Sequence, residues 1–180
     1  MTDISNMTLV EVAGLVGSHL GSRGIDVVLS GGACVAYYSN GQYVSMDLDF
    51  VNAGYARREK IAAAMAEIGF QEVNRYFRCP QTEYLVEFPP GPLGVGDERV
   101  REIREVQTRA GTFRIISPND CVKDRLAGFY HWDDLQCLEQ AVLVAQENDI
   151  DIRDIERWSA AEGKKKAFDQ IKDRLLKREA

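Results

Sequence analysis

The amino-acid sequence predicts an α+β fold, in which a mixed β-sheet flanked by helices is followed by a C-terminal helical region. Helix-like and strand-like segments intermingle in residues 1–116, whereas every segment after Ser117 has the apolar spacing of a helix. With 180 residues and 45% apolar content, the chain can bury a core without disulfides or metal ions. We therefore divide it into a mixed part, 1–116, and a helical part, 117–180.

The mixed part begins with a helix over residues 8–20. Thr8 is a good N-cap there, and Glu11 stands three residues further on, as in a capping box. Next we expect a buried strand over 25–29, a short helix over 33–38, a strand over 44–51 and a helix over 55–68 that Gly69 terminates. Strands at 70–73, 75–79 and 83–88, a loop at 89–97, and a hairpin formed by 101–108 and 112–116 complete this part.

The helical part starts at "SPND", residues 117–120. Ser117 is a suitable N-cap, and Pro118 then occupies the first helical position, where its missing N–H does no harm. The apolar spacing predicts helices over 118–131, 133–148, 151–161 and 163–178.

Composition excludes several classes of protein. The formal charge is −6; residues 153–180 hold nine Lys/Arg against six Asp/Glu, and the rest of the chain holds thirteen against twenty-two, unlike a DNA-coating protein. No run of about 20 apolar residues predicts a membrane span, and the acidic N-terminus does not resemble a signal peptide. The four cysteines lack C-x-x-C spacing, which favours reduced core thiols in a cytoplasmic protein over a zinc site.

Two features of residues 29–50, "LSGGACVAYYSNGQYVSMDLDF", are candidates for chemistry. Asp47 and Asp49 alternate with apolar residues, so in a strand their carboxylates project side by side and repel unless a cation or proton lies between them. A Gly-Gly turn between a buried strand and a helix lets a phosphate approach free backbone N–H groups. Each feature alone has an ordinary structural explanation, but together they offer what a nucleoside triphosphate with Mg²⁺ needs.

The stretch "SGGACVAYYSNGQYVSMDLDF" resembles the signature of the nucleotidyltransferase superfamily that includes DNA polymerase β. That signature is a hydrophobic residue, Gly, then Gly or Ser, a spacer, and Asp-x-Asp between apolar residues. The sequence looks closest to minimal nucleotidyltransferases, including AbiEii-type toxins of toxin–antitoxin systems, which carry a GG…Y…S/T-x-D-[IL]-D-F pattern before a helical region. The resemblance covers residues 26–51 well and 52–130 loosely, and it implies a nucleotidyltransferase-like mixed sheet.

The resemblance also implies residue roles. Asp47 and Asp49 would hold Mg²⁺, or Mn²⁺ as an alternative, and the triphosphate would lie on Ser30, Gly31, Gly32 and Ser45. A third carboxylate normally comes from a later strand, shares a metal and helps to deprotonate the acceptor. Glu87 in "YLVEF" is the first candidate and Glu83 the second.

The helix over 118–131 resembles the post-catalytic helix of these proteins, whose basic residue reaches the phosphates. Lys123 or Arg125 could do so here, although surface charges on an amphipathic helix are the more ordinary explanation of both. His131 fits a C-terminal capping residue better than a base, and Lys164, Lys165 and Lys166 fit a solvated turn.

The reduced thiols favour a cytoplasmic protein. The resemblance implies a Mg²⁺-dependent enzyme that transfers a nucleotidyl group from an NTP to a hydroxyl or phosphate of RNA, a protein or a small molecule, in a toxin–antitoxin setting. Two departures from the toxin pattern leave an alternative open. The usual arginine is replaced by Tyr43, and the spacer is slightly long. The alternative is a catalytically degenerate protein of the same fold that acts as a binding partner.

Overall fold

The computed structural model describes residues 3–176 and confirms the α+β fold. Its strands are β1 (Val27–Ser30), β2 (Asp47–Asn52), β3 (Gln71–Val73), β4 (Tyr76–Arg78), β5 (Leu85–Glu87), β6 (Gly94–Val95), β7 (Glu98–Arg99), β8 (Ile103–Thr108) and β9 (Gly111–Ile116). Its helices are α1 (Leu9–Ser22), α2 (Gly31–Tyr38), α3 (Arg58–Glu67), α4 (Pro118–Trp132), α5 (Leu135–Glu147), α6 (Ile152–Ala161) and α7 (Lys165–Leu176). Within this range no helix combines the length and apolar character that crossing a membrane requires.

Seven strands form one mixed sheet in the order β3-β4-β5-β2-β1-β9-β8, and β6 pairs only with β7. At the centre, β1 runs antiparallel to β2 and parallel to β9, while β2 runs parallel to β5. The β3-β4 hairpin extends the sheet beyond β5, and β4 is antiparallel to β5.

The two faces of the β2-β5-β4 region differ sharply. One face is fully buried and carries Leu48, Phe50, Val86 and Phe77. Behind it the ring of Phe88 lies 6.2 Å from that of Phe50 and 5.3 Å from that of Phe77, as packed aromatic pairs do. Burial of each such ring stabilises the fold by about 2–3 kcal/mol, so the strands that carry the acidic residues are anchored firmly.

Several predicted boundaries shift for identifiable reasons. Helix α1 begins where expected, and Thr8 and Glu11 form the predicted capping box. Strand β2 begins at residue 47 rather than 44, because the Ser45 hydroxyl donates to the Asp47 carbonyl and accepts from the Asp47 N–H, which turns the chain. Helix α3 starts at Arg58 rather than 55, since the Asn52 side chain holds a turn through both backbone groups of Ala56.

The segment predicted as a loop at 89–97 contains half of a small ribbon, β6-β7, which forms a sheet of its own. The start of the segment contacts the main sheet, where the Asn52 N–H at the end of β2 donates to the Pro89 carbonyl. The indole of Trp158 on α6 donates to the Val95 carbonyl at 3.3 Å, and Glu98 pairs with Arg157 of the same helix. The sequence prediction missed this ribbon because each strand has only two residues. Helix α6 thus holds the β6-β7 ribbon in place.

The helical part begins as predicted: Ser117 caps α4 through the Asp120 N–H, and Pro118 follows it. Helix α4 packs on α5, α2 and α6, and α7 packs on α5 and α6. The last helix was expected to reach residue 178, and residues 177 and 178 lie outside the described range. His131 pairs with Glu162 at 3.2 Å, while Asp133, in the left-handed region, terminates α4.

The cysteines are free thiols, as expected. Cys34, Cys79 and Cys121 are buried, and Cys137 is half-buried.

Candidate active site

Strand register aligns residues of three neighbouring strands. Ser30 on β1 is paired with Asp49 on β2, and Asp49 is paired with Glu87 on β5. Paired residues point to the same face of a sheet, and adjacent strands are about 4.8 Å apart. Asp47 lies two residues before Asp49 and therefore on the same face. The structure thus brings Asp47, Asp49 and Glu87, the first candidate for a third carboxylate, to one face of the sheet. Glu83, the second candidate, lies before β5 begins.

The glycine turn lies directly against this row. Gly31 has φ +67°, and a Cβ added there would stand 2.5 Å from Oδ2 of Asp49. Both the backbone conformation and the close approach therefore require glycine at this position. As a result, the N-terminus of α2 and the Asp49 carboxylate are in contact.

The first turn of α2 lacks a side-chain cap. Ser30 is its N-cap residue, but no cap hydrogen bond is made by the Ser30 hydroxyl, which donates instead to the Asp49 carbonyl at 3.3 Å. The leading N–H groups of a helix need acceptors, and an oxyanion is the partner that the helix dipole favours.

Two further side chains approach Gly32. A Cβ built there would lie 3.3 Å from the Ser45 hydroxyl and 3.6 Å from the ring of Tyr43. Ser45 therefore lies beside the glycine turn, and the residue that replaces the usual arginine packs against that turn instead of projecting a charge.

Asp47 and Asp49 differ from Glu87, which Arg75 contacts, in having no cation beside them in the described part of the chain. Burial, followed by repulsion from Glu87 and Asp47, raises the pKa of Asp49 to about 6. Within residues 3–176, no lysine or arginine forms an ion pair with Asp47 or Asp49. The positive charge of Arg125, which forms no ion pair with Asp49, partly opposes this rise in the pKa of Asp49. The site therefore favours a proton or an additional cation.

The donor set fits Mg²⁺. Mg²⁺ prefers hard oxygen ligands, and proteins usually hold it through one or two carboxylates plus substrate phosphates rather than in a complete cage. In the described part of the chain, no three His, Cys, Asp or Glu side chains gather closely enough to hold a metal by themselves. Asp47 and Asp49, next to the phosphate-binding turn, provide the one or two carboxylates that Mg²⁺ usually needs, and substrate phosphates would complete its ligands.

A cleft with a volume of about 430 Å³ opens beside Asp49. Its floor includes Ser30 and Gly31, its wall includes Asp124 and Arg125 of α4, and its roof comes from the 89–100 segment, including Leu93, Val95 and Val100. This volume is within the range of small-molecule sites.

The two predicted basic residues of α4 occupy different places. Arg125 lines the cleft, where its guanidinium is held by Asp124 at 3.0 Å and by Gln140 at 3.3 Å. Lys123 instead lies in a separate cavity of about 410 Å³, where only 5% of the residue is exposed and Asp154 pairs with its ammonium at 2.5 Å. Its position gives no support to a nucleotide contact.

Sequence reasoning missed two charged residues near the row. Asp124 was not among the candidate residues, yet it shares the cleft with Asp49. Arg75, in the β3-β4 turn, places Nε 3.5 Å from Oε1 of Glu87. The signal for this turn is Asn74, which adopts φ +58°, but the turn does not fix the β4-β5 register that brings Arg75 to Glu87.

Solved structures with a similar fold exist. The chain aligns with the solution structure of the antibiotic-resistance factor ANT(2″)-Ia over 83% of its length and 88% of that chain, with 16% identity and a TM-score of 0.51. It aligns with an antigenic nucleotidyltransferase-like protein from Paracoccidioides brasiliensis over 70% of both chains, with 16% identity and a TM-score of 0.52. Neither a family model nor a curated protein sequence matches this chain. At such identities the alignments show a shared nucleotidyltransferase fold.

Proposed function

We propose that this chain is a nucleotidyltransferase that moves a nucleotidyl group from an NTP to a hydroxyl or phosphate acceptor. The observation that supports it best is the alignment of Ser30, Asp49 and Glu87 across three strands, with Gly31 against Asp49. This arrangement joins a phosphate-binding turn to a row of carboxylates at one point. The nucleotidyltransferase fold adds independent support.

In this proposal the triphosphate lies on the first turn of α2, where Gly31 and Gly32 leave the backbone N–H groups open. The hydroxyls of Ser30 and Ser45 would turn from the carbonyls of Asp49 and Asp47 to donate to the phosphates. Arg125 faces the cleft and adds a positive charge near the phosphates. Lys123 is left out of the nucleotide site because its charge is already neutralised by Asp154.

Asp47 and Asp49 would hold Mg²⁺, with Mn²⁺ as an alternative, and Glu87 would contribute a third carboxylate on the acceptor side. When bound, the metal supplies charge neutralisation at the phosphates and increases the acidity of the acceptor. Glu87 takes the proton of an acceptor hydroxyl. The acceptor oxygen then forms a bond to the α-phosphorus, the bond between the α- and β-phosphates breaks, and pyrophosphate leaves.

A thermal-unfolding experiment tests the site. A ligand that binds only the folded state stabilises it by about 2.7 kcal/mol at 100 times its Kd. We expect a clear rise in Tm with NTP and Mg²⁺ together, and little with either alone, because the carboxylates and the phosphates need the metal between them. An unchanged Tm with all four NTPs plus Mg²⁺ would rule out the site.

The alternative of a degenerate binding protein makes a different prediction. Tyr43 packs against Gly32 where the resembling toxins carry arginine, so the positive charge of that arginine is missing beside the turn. A protein that only binds would be stabilised by NTP and Mg²⁺ but would transfer no label from α-³²P-NTP to any acceptor.

The remaining expectations are part of the same proposal. A toxin–antitoxin setting and a cytoplasmic location are supported only by the sequence resemblance and the reduced thiols. Growth arrest on induced expression, abolished by Asp47→Asn, tests the toxin role. A boundary at 116/117 is supported by the end of β9 at Ile116, and limited proteolysis tests it.

A further inference from the structure

Glu87 differs from the two aspartates of the carboxylate row in having an ion-pair partner. Nε of Arg75, in the β3-β4 turn, lies 3.5 Å from Oε1 of Glu87. The Glu87 side chain is 23% exposed and the Arg75 side chain is 68% exposed, so the pair lies at the boundary with solvent. Such a pair has a measurable effect only where the long basic side chain is already held in place, because ordering it otherwise offsets the gain.

The Arg75 guanidinium is held by the neighbouring tyrosine. Its Nη2 donates a hydrogen bond to the Tyr76 hydroxyl at 2.6 Å, and its central carbon lies 4.8 Å from the centroid of the Tyr76 ring. Tyr76 is paired with Glu87 in the β4-β5 register, so the ring and the carboxylate lie side by side on one face of the sheet. The side chain that holds the guanidinium is therefore next to the carboxylate that the guanidinium contacts.

The backbone of Arg75 is held from helix α3. Nη2 of Arg58 donates to the Arg75 carbonyl at 2.9 Å. The Arg58 guanidinium also lies 4.8 Å from the ring centroid of Phe77, which is fully buried. Together with the left-handed backbone at Asn74, these contacts place Arg75 at Glu87 before any ligand binds.

The charge of Arg75 affects the three carboxylates unequally. Asp47, Asp49 and Glu87 lie on one face and repel one another, so the row as a whole attracts a divalent cation. The positive charge of Arg75 opposes that attraction at Glu87, whereas neither aspartate has such an ion pair within residues 3–176. A carboxylate oxygen that binds a metal ion cannot use the same lone pair to take a proton. A cation held at Glu87 therefore favours this carboxylate as a proton acceptor.

We propose that Arg75 is a positioning residue that acts through Glu87. By pairing with this carboxylate, Arg75 keeps it away from the metal and reserves it for the proton of the acceptor hydroxyl, while Asp47 and Asp49 hold the metal. This inference rests on the proposed nucleotidyl transfer and separates its metal-binding carboxylates from its proton acceptor.

Binding of Mn²⁺ tests this role without any need for catalytic activity, because EPR follows the loss of the free-ion signal. Arg75→Gln should bind Mn²⁺ about two- to fivefold more tightly than wild type at low salt, the size of effect that an exposed ion pair allows. The reason is that Glu87 then becomes available to the metal. Arg75→Lys keeps the positive charge, so its affinity should stay close to that of wild type. At 1 M salt, where the Debye length is about 3 Å, the gain of Arg75→Gln should decrease.

Further variants show whether the effect depends on Glu87. In a Glu87→Gln background, Arg75→Gln should change the Mn²⁺ affinity by less than about 1.5-fold, because the carboxylate on which Arg75 acts is gone. Tyr76→Phe keeps the ring but removes the hydroxyl that holds Arg75, so it should give a smaller gain in the same direction. Arg153→Gln on α6 is the matched control, since it removes the same charge from an exposed position and should leave the affinity unchanged.

Equal or weaker binding of Mn²⁺ by Arg75→Gln than by wild type would overturn the inference. An undiminished gain in the Glu87→Gln background, or the same gain in Arg153→Gln, would overturn it as well, because the effect would then not act through Glu87.

Asp49→Asn, measured in the same titration, separates the role of Arg75 from the proposed function. We expect this variant to lose most of its affinity for Mn²⁺. If it does so but Arg75→Gln shows no gain, only the role of Arg75 is refuted. If Asp49→Asn binds Mn²⁺ as well as wild type does, the metal site of the proposed nucleotidyltransferase is wrong and the inference fails with it.

Discussion

Replacement of Asp49 by Asn should increase the stability of the metal-free protein at pH 8. The side chain keeps its shape and its distance from Gly31, but it loses a charge that the site does not compensate. Because burial and the neighbouring carboxylates raise the pKa of Asp49 to about 6, ionising it in the folded chain costs free energy.

The size of this effect follows from the pKa change. The shift from 3.8 to about 6 corresponds to about 3 kcal/mol at high pH. Asp49 is only partly buried, so solvent screening reduces the expected gain to about 1–2 kcal/mol.

The sign also fixes the pH window. A carboxyl whose pKa is raised by folding contributes stability below its unfolded pKa, near 4, and loses that contribution as the pH rises through about 6. The wild-type protein should therefore lose stability between about pH 4 and pH 7 relative to Asp49→Asn, and the two should converge at pH 4.

Urea denaturation in EDTA at pH 4, 6 and 8, followed by tryptophan fluorescence, measures this difference. Asp173→Asn is the control, since Asp173 is exposed on α7 and its replacement should change the free energy of unfolding by less than about 0.5 kcal/mol. Lower stability of Asp49→Asn than of wild type at pH 8 would refute the account of the site's electrostatics. If the account holds, adding Mg²⁺ should increase the stability of the wild-type protein more than that of Asp49→Asn.

Three further outcomes are expected. Gly31→Ala should lower the free energy of unfolding by more than about 1 kcal/mol and abolish stabilisation by NTP with Mg²⁺. Gly21→Ala on α1, where no atom lies within 4 Å of an added Cβ, should do neither. Equal effects of the two substitutions in chemical denaturation would contradict this. Lys123→Ala should lower the free energy of unfolding by about 2 kcal/mol, because Asp120 loses its cation while Asp154 keeps Arg157; an unchanged urea midpoint would show that Lys123 does not stabilise the cluster. Glu87→Gln should reduce transfer about 10²- to 10⁴-fold while the Tm response to NTP with Mg²⁺ persists, and full transfer by this variant would remove Glu87 from the proposed reaction.

Local signals in the sequence predict much of this fold. The capping box at Thr8 and Glu11, the Ser117-Pro118 start of α4 and the Ala110-Gly111 hairpin turn are all decided within a few residues, and all three are observed. Alternation of polar and apolar residues likewise identifies the acidic face of β2. Such features need no knowledge of distant contacts.

What the sequence could not supply depends on long-range register. The pairing of Glu87 with Asp49 joins strands separated by α3 and the β3-β4 hairpin, and only the folded sheet fixes it. Arg75 reaches Glu87 across a different register, that of β4 with β5, which is likewise fixed only when the strands pair. Lys123 and Arg125 could not be distinguished from helical spacing, because their surroundings come from α5 and α6. The roof of the cleft also depends on Trp158, which is far away in sequence.

The central claim is that the glycine turn and the carboxylate row form one site for nucleotidyl transfer. Incubation with α-³²P- and γ-³²P-labelled NTPs, Mg²⁺ and cell extract tests it most directly, with Asp47→Asn and Asp49→Asn as paired variants. The account predicts that label from the α-position enters an acceptor, that label from the γ-position does not, and that both folded variants abolish incorporation. Transfer of γ-label, or full incorporation of α-label by either variant, would contradict it.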